Sequence, residues 1–289
     1  MRKSYNRMES IPIDSITSEK ELKRAINDWA EGSKPLKDLL WACYDNGVKT
    51  SGCHSGHGRG LPYIDFDPDG SNRKKLTQIL STAHNLGNSQ IFIMFNGNPY
   101  SGADWHKTVI DTFPLIVKDA RKFLVELTKA AKDEEETQDV AIENLLNICE
   151  FMKDKDSPLH FRIIVSDDEK YYVYVECCGN NRDWDYYGKL FEKAGMTYDE
   201  EKPEFKDWRS TWKVVANGKE EFSAVMKKIY QTMLENWNLE LPEEITEDMD
   251  MKAKALVMRR KYGTDREGIE KLNSWLNANK EKGMRDVNY

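Results

Sequence analysis

Chemistry-bearing side chains concentrate between Gly47 and Gly70, where GVKTSGCHSGHGRGLPYIDFDPDG carries two histidines, a cysteine, an arginine and three aspartates around a glycine-rich bend. Cys53, His54 and His57 are soft and borderline ligands close together in the chain, and Cys43 could approach from the preceding segment, which is the chemistry of a zinc site. A structural zinc site draws a second ligand pair from another segment, whereas His84, His106 and His160 are scattered. The expectation is therefore no cofactor and no metal, with Cys53 buried and the histidines in ordinary hydrogen bonds. Zinc on Cys53, His54 and His57 is the alternative.

Three further patterns touch the same segment. Gly52, Gly56, Gly58 and Gly60 with Arg59 could form a nest of N–H groups for an anion, but the loop leads from strand to strand and lacks the helix N-terminus of nucleotide fingerprints. Asp65, Asp67, Asp69 and Gly70 match the first half of a calcium loop, yet Leu76 stands where the bidentate carboxylate belongs. Asp104 and His106 flank Trp105 in a later turn-rich stretch and could complete a site. Pairing 48–54 with 61–67 sets His54 opposite residue 61 and Asp65 opposite Thr50, roughly 13 Å apart at about 3.3 Å per residue, too far for shared coordination.

No Walker loop, G-x-S-x-G, H-E-x-x-H or kinase signature occurs, and the adjacent Cys177 and Cys178 lack C-x-x-C spacing, so an enzyme is the less favoured class. Net charge is −7, the wrong sign for non-specific coating of nucleic acid. The five cysteines, an odd number without paired spacing, imply a reducing compartment. With no apolar leader and no run long enough to span a membrane, the expected setting is the cytoplasm.

The elements that must position these residues read as an α+β fold. Residues 1–17 form a leader. Ser18 and Glu21 make a capping box before a helix bearing Leu22, Ile26 and Trp29, and a second helix runs from Pro35 to Asn46-Gly47. Two short strands, VKTSGCH and LPYIDFD, form a hairpin, followed by a helix capped at Ser71 and the buried strand SQIFIMF. Residues 96–111 read as surface loop, and a long helix starts near Pro114. After the acidic run KDEEETQD comes a helix with Ile142 to Met152. Beyond a boundary near 153–158, HFRIIVSDDEKYYVYVECC reads as a hairpin, DWDYYGKLFEKAG as a helix and STWKVVANG as a strand. A long amphipathic helix follows with Phe222, Met226, Ile229, Met233 and Leu234 inward, then two tail helices near 248–261 and from Thr264. The expected organisation is two modules, 18–155 and 156–289, each a mostly antiparallel sheet covered by helices. Both halves show hairpin, helix, strand, helix in that order.

The pattern LKRAINDWAEG, LKDLLWACYDNGVKT, a Cys/His/Gly hairpin and LPYIDFD, about residues 18–95, resembles uncharacterised proteins of Gram-positive bacteria and their phages or mobile elements. That resemblance implies an accessory protein that binds a host or phage protein. The functional expectation is a non-enzymatic binding protein, its sharpest form an inhibitor of a host defence complex, using His54, His57, Arg59, Asp65, Asp67, Trp105 and His106. The partner is expected to be another protein, with homo-oligomerisation compatible. A metal-dependent hydrolase acting on a phosphorylated or nucleic-acid substrate through His54, His57, Asp65, Asp67 and His106 is the alternative.

Overall fold

The computed structural model describes residues 18–58, 60–95, 108–135, 137–153, 159–177, 184–199 and 210–237, together with helical residues 271, 274, 275 and 278. The expected leader, Arg59, Trp105, His106 and most of the expected tail helices lie outside the described residues.

Helix α1, Glu19–Trp29, starts where Ser18 Oγ accepts the Glu21 N–H, as the capping pattern requires, and buries Leu22 and Ile26. Helix α2, Lys34–Asp45, is capped by Ser33 and buries Leu36, Leu39, Leu40 and Cys43. Gly47, at φ 69°, lets the chain turn out of it into strand β1, Lys49–His54. Strand β2, Tyr63–Asp67, returns antiparallel, and helix α3, Arg73–Asn85, follows. Asn72 rather than Ser71 caps α3; Ser71 Oγ instead accepts the Lys49 N–H and donates to the Asp67 carbonyl, tying the base of the hairpin.

Strands β3, Ser89–Met94, and β4, Val109–Pro114, pair antiparallel. β4 corrects the expected loop at 96–111 and the expected helix start at Pro114: Val109 to Phe113 alternate half-buried and buried, and Pro114 ends the strand. Helix α4 begins only at Ala120, after a 3-10 turn, and runs to Lys132; α5 spans Val140–Met152. The second half supplies β5, Leu159–Val165, β6, Lys170–Cys177, α6, Trp184–Lys193, β7, Thr197–Tyr198, β8, Ser210–Asn217, and α7, Lys219–Asn236.

The eight described strands form one antiparallel sheet in the order β1-β2-β4-β3-β5-β6-β8-β7. Each half therefore repeats one topology: the strands run first, second, fourth, third in β1-β2-β4-β3 and again in β5-β6-β8-β7. The halves do not keep separate sheets. β3 pairs with β5 from Ser89↔Val165 to Met94↔His160, which removes an exposed edge from each.

The described helices form a layer on one face. Beneath them Ile64, Phe66, Ile91, Ile93, Ile110, Phe161, Ile163, Val173, Val175 and Trp212 make a continuous core; burial alternates along β2, β3 and β4, while β5 and β6 also bury His160 and Glu176 near one end. The core crosses the seam between halves: His84 of α3 packs against Tyr171 of β6 and Phe222 of α7, whose rings stack at 4.5 Å. Among the described residues no helix is long and apolar enough to cross a membrane.

Candidate functional site

Antiparallel pairing places directly opposite residues on the same face. The register aligns one such row across seven strands: Gly52, Asp65, Asp111, Phe92, Arg162, Tyr174 and Lys213. Each alternates with a core residue, so the row lies on the face away from the helix layer. Its side chains are half-buried.

Asp65 and Asp111 are hydrogen-bonded to each other, side chain to side chain. Burial raises the Asp65 carboxyl to about 6, and burial together with the Asp65 charge raises Asp111 to about 8. Neither has a cationic partner among the described residues, and two adjacent carboxylates cannot both ionise cheaply, so the pair holds one proton at neutral pH. Asp111 Oδ1 is buried without a hydrogen-bond partner. On the β1 side a Cβ at Gly52 would lie 2.5 Å from Asp65 Oδ2, so glycine is what gives that carboxylate its place. On the β3 side Phe92 carries the Arg162 guanidinium 5.4 Å from its ring centroid, and Arg162 pairs with Glu176 at 2.8 Å. Lys213 pairs with Asp199 at 2.9 Å.

The hairpin register differs from the expected one because β1 carries a bulge between Thr50 and Gly52 and the connection is longer. His54 faces Tyr63 and Asp65 faces Gly52, so His54 and Asp65 share a face, one two-residue step apart along the strands, or about 6.6 Å. Tyr63 stacks on His54 at 5.8 Å. Burial, Asp65 and Asp111 push its phenol up to about 12, so it stays neutral.

Beyond Tyr63, the hairpin tip meets the end of α1. His57 Nε2 lies 3.8 Å from Glu31 Oε1 and His54 Nε2 4.0 Å from Glu31 Oε2. The ligand atoms of these three residues all fall within 4.8 Å of one another. Partial burial works against the Glu31 charge, but the Ser55 N–H, donating to Oε2 at 2.8 Å, and the two imidazoles hold its carboxyl below the ordinary value. His54 Nδ1 accepts the Gly56 N–H at 2.9 Å, and the two imidazoles meet edge to face at 4.8 Å.

Cys53 does not join the histidines. Its sulfur turns to the helix side and donates to the Trp29 carbonyl at 3.5 Å, and burial with the Glu31 and Asp65 charges pushes the thiol up to about 12, opposite to the thiolate that zinc requires. Cys43 is sealed in the core, its thiol likewise raised to about 12 by burial. Asp67 lies away from the histidine cluster; its Oδ1 accepts the Asp69 N–H in the turn toward α3. Leu76 is a core residue of α3.

Of the expected binding residues, the structure thus brings together His54 and His57, places Asp65 beside them and Asp67 apart, and leaves Arg59, Trp105 and His106 outside the described residues. Glu31, Asp111 and Arg162 were absent from that set. The alternation in VIDTF was the available signal for Asp111, masked by the turn formers before it. Nothing local marked Glu31, which lies in the turn after α1, 23 positions before His54. Comparisons with family models, curated proteins and solved structures find no match for this chain.

Proposed function

We propose that the protein acts by binding another protein through the sheet face opposite its helices. The observation that carries this reading is the composition of that face. Phe92, Phe113, Ile164 and Tyr172 are half-exposed and Val215 is exposed, interleaved with Asp65, Asp111, Arg162 and Lys213. Aromatic and aliphatic anchors set among charged groups are the make-up of a protein interface. A net charge of −7 weighs against a phosphate backbone as the partner. The sharper form, a partner within a host defence complex, rests on the resemblance of about residues 18–95 to proteins of Gram-positive bacteria and their phages.

The test is site-specific cross-linking in the native host. A photoreactive residue at position 172 or 215 captures a defined partner, one at Leu234 on the helix layer does not, and Tyr172→Asp abolishes the capture. Equal capture from both sides of the molecule, or none, refutes the reading.

One observation favours the second reading, a metal-dependent hydrolase. A proton-holding carboxylate pair beside an imidazole cluster supplies an acid and a base on one surface. Hydrolysis of phosphomonoester or phosphodiester substrates in the presence of zinc or manganese, lost in Asp111→Asn without loss of fold, would select it.

A further inference from the structure

We propose that Glu31, His54 and His57 form a binding site for one borderline divalent cation such as zinc, which clamps the end of α1 to the β1–β2 tip. The inference is independent of which partner the sheet face binds.

Two imidazoles and one carboxylate from separate segments converge with their ligand atoms within 4.8 Å. The imidazoles approach Glu31 at 3.8 Å and 4.0 Å. Zinc bonded to nitrogen and oxygen at about 2.0 to 2.1 Å in a tetrahedron needs its ligand atoms about 3.3 Å apart, so loading draws the three side chains together by about 0.5 to 1.5 Å, within the reach of rotamer adjustment at exposed positions. Glu31 Oε2 already accepts the Ser55 N–H, which leaves Oε1, the oxygen facing His57, as the natural ligand. Glu31 and His57 sit at φ 50° and 45°, left-handed backbone that non-glycine residues adopt sparingly, and these conformations go with the meeting of the side chains. Glu31 and His57 are exposed, so solvent can fill the fourth position.

The ligand type selects the ion. Imidazole suits zinc, nickel and cobalt, whereas magnesium and calcium prefer all-oxygen sets. The hydrogen bond at His54 adds a specific consequence. While Nδ1 accepts the Gly56 N–H, the neutral ring carries its proton on Nε2. A cation on Nε2 requires that proton at Nδ1, which makes Nδ1 a donor and obliges the Gly56 N–H to turn away. Metal loading is therefore reported at the Gly56 amide, within a tip whose glycines can reorient.

The experiment uses the full chain, stripped with chelator and titrated with zinc chloride, with binding followed by calorimetry and backbone amides by NMR. Expected are one saturable equivalent in the micromolar range, the Gly56 amide among the most shifted signals, no response to magnesium, and affinity lower by about tenfold or more in His57→Ala and in Glu31→Gln. Absence of saturable binding overturns the site, and so does wild-type affinity in His57→Ala, which assigns the ion to other side chains. Circular dichroism checks the fold of each variant; should Glu31→Gln unfold, His57→Ala decides alone.

Discussion

Asp65 lies over Gly52, its Oδ2 standing 2.5 Å from where a Cβ at position 52 would be, while its other neighbour across the sheet is Asp111. The carboxylate is thus fitted between a bare stretch of backbone and a second acid. Gly52→Ala should force it to move and destabilise the protein by about 1–3 kcal/mol, the usual cost of overpacking. In a double-mutant cycle with Asp65→Ala the loss should largely disappear, because the clashing atoms are gone. Additive losses in thermal melts would show that Gly52 acts through its backbone instead.

The carboxylate pair gives stability a sign with pH. Both folded values lie above the ordinary aspartate value of 3.8, so between the two the folded state binds more protons than the unfolded chain. Stability contributed by the pair is fully present below the unfolded value and is lost as pH rises through the folded values of about 6 and about 8. Asp111→Asn removes the larger part of that dependence, the part carried by Asp111, and leaves the part that burial gives Asp65. Its melting temperature should exceed the wild type's by several degrees at pH 9 and approach or fall below it near pH 4. A difference that is constant across this range would contradict the shared proton.

A second pair, within the first half, ties α3 to the start of α5. His84 Nε2 meets Asp139 Oδ2 at 2.6 Å, and Asp139 Oδ1 also accepts the N–H groups of Ala141 and Ile142 at the start of α5. Partial burial opposes the Asp139 charge, but the His84 hydrogen bond and charge, with these amides, hold the carboxyl below its ordinary value. Asp139→Ala removes a cap and leaves the buried His84 Nε2 without its hydrogen-bond partner, a loss of about 2–4 kcal/mol by chemical denaturation. A loss within 0.5 kcal/mol, the range of surface changes, would show that His84 is satisfied otherwise.

Helix α7 separates two leucine-like positions that sequence periodicity joins. Ile229 is fully buried, whereas Leu234 is about half exposed. Ile229→Asp should cost several kcal/mol, comparable to the stability of a domain, and Leu234→Asp little. Equal melting temperatures for the two variants would mean that this face is misplaced.

Local rules were legible in the chain wherever one residue type answers one backbone need. Ser18 caps a helix, Pro35 opens another and Gly47 ends it, and the apolar run SQIFIMF marks a strand, so the α+β class and the covering helices follow from periodicity. The hairpin carrying His54 and His57 was legible for the same reason. Its register was not, because the bulge at Ser51 shifts the pairing by an amount that no turn residue announces. Strand β4 lay hidden since a short strand gains its stability from neighbours on both sides, here β2 and β3, which the chain supplies from elsewhere. Tertiary structure alone decided that Asp111 meets Asp65, that Glu31 meets two histidines, and that β3 and β5 fuse two halves of like topology into one sheet. Each is a non-local contact, set by which sheet edges and faces must be covered rather than by the residues flanking it.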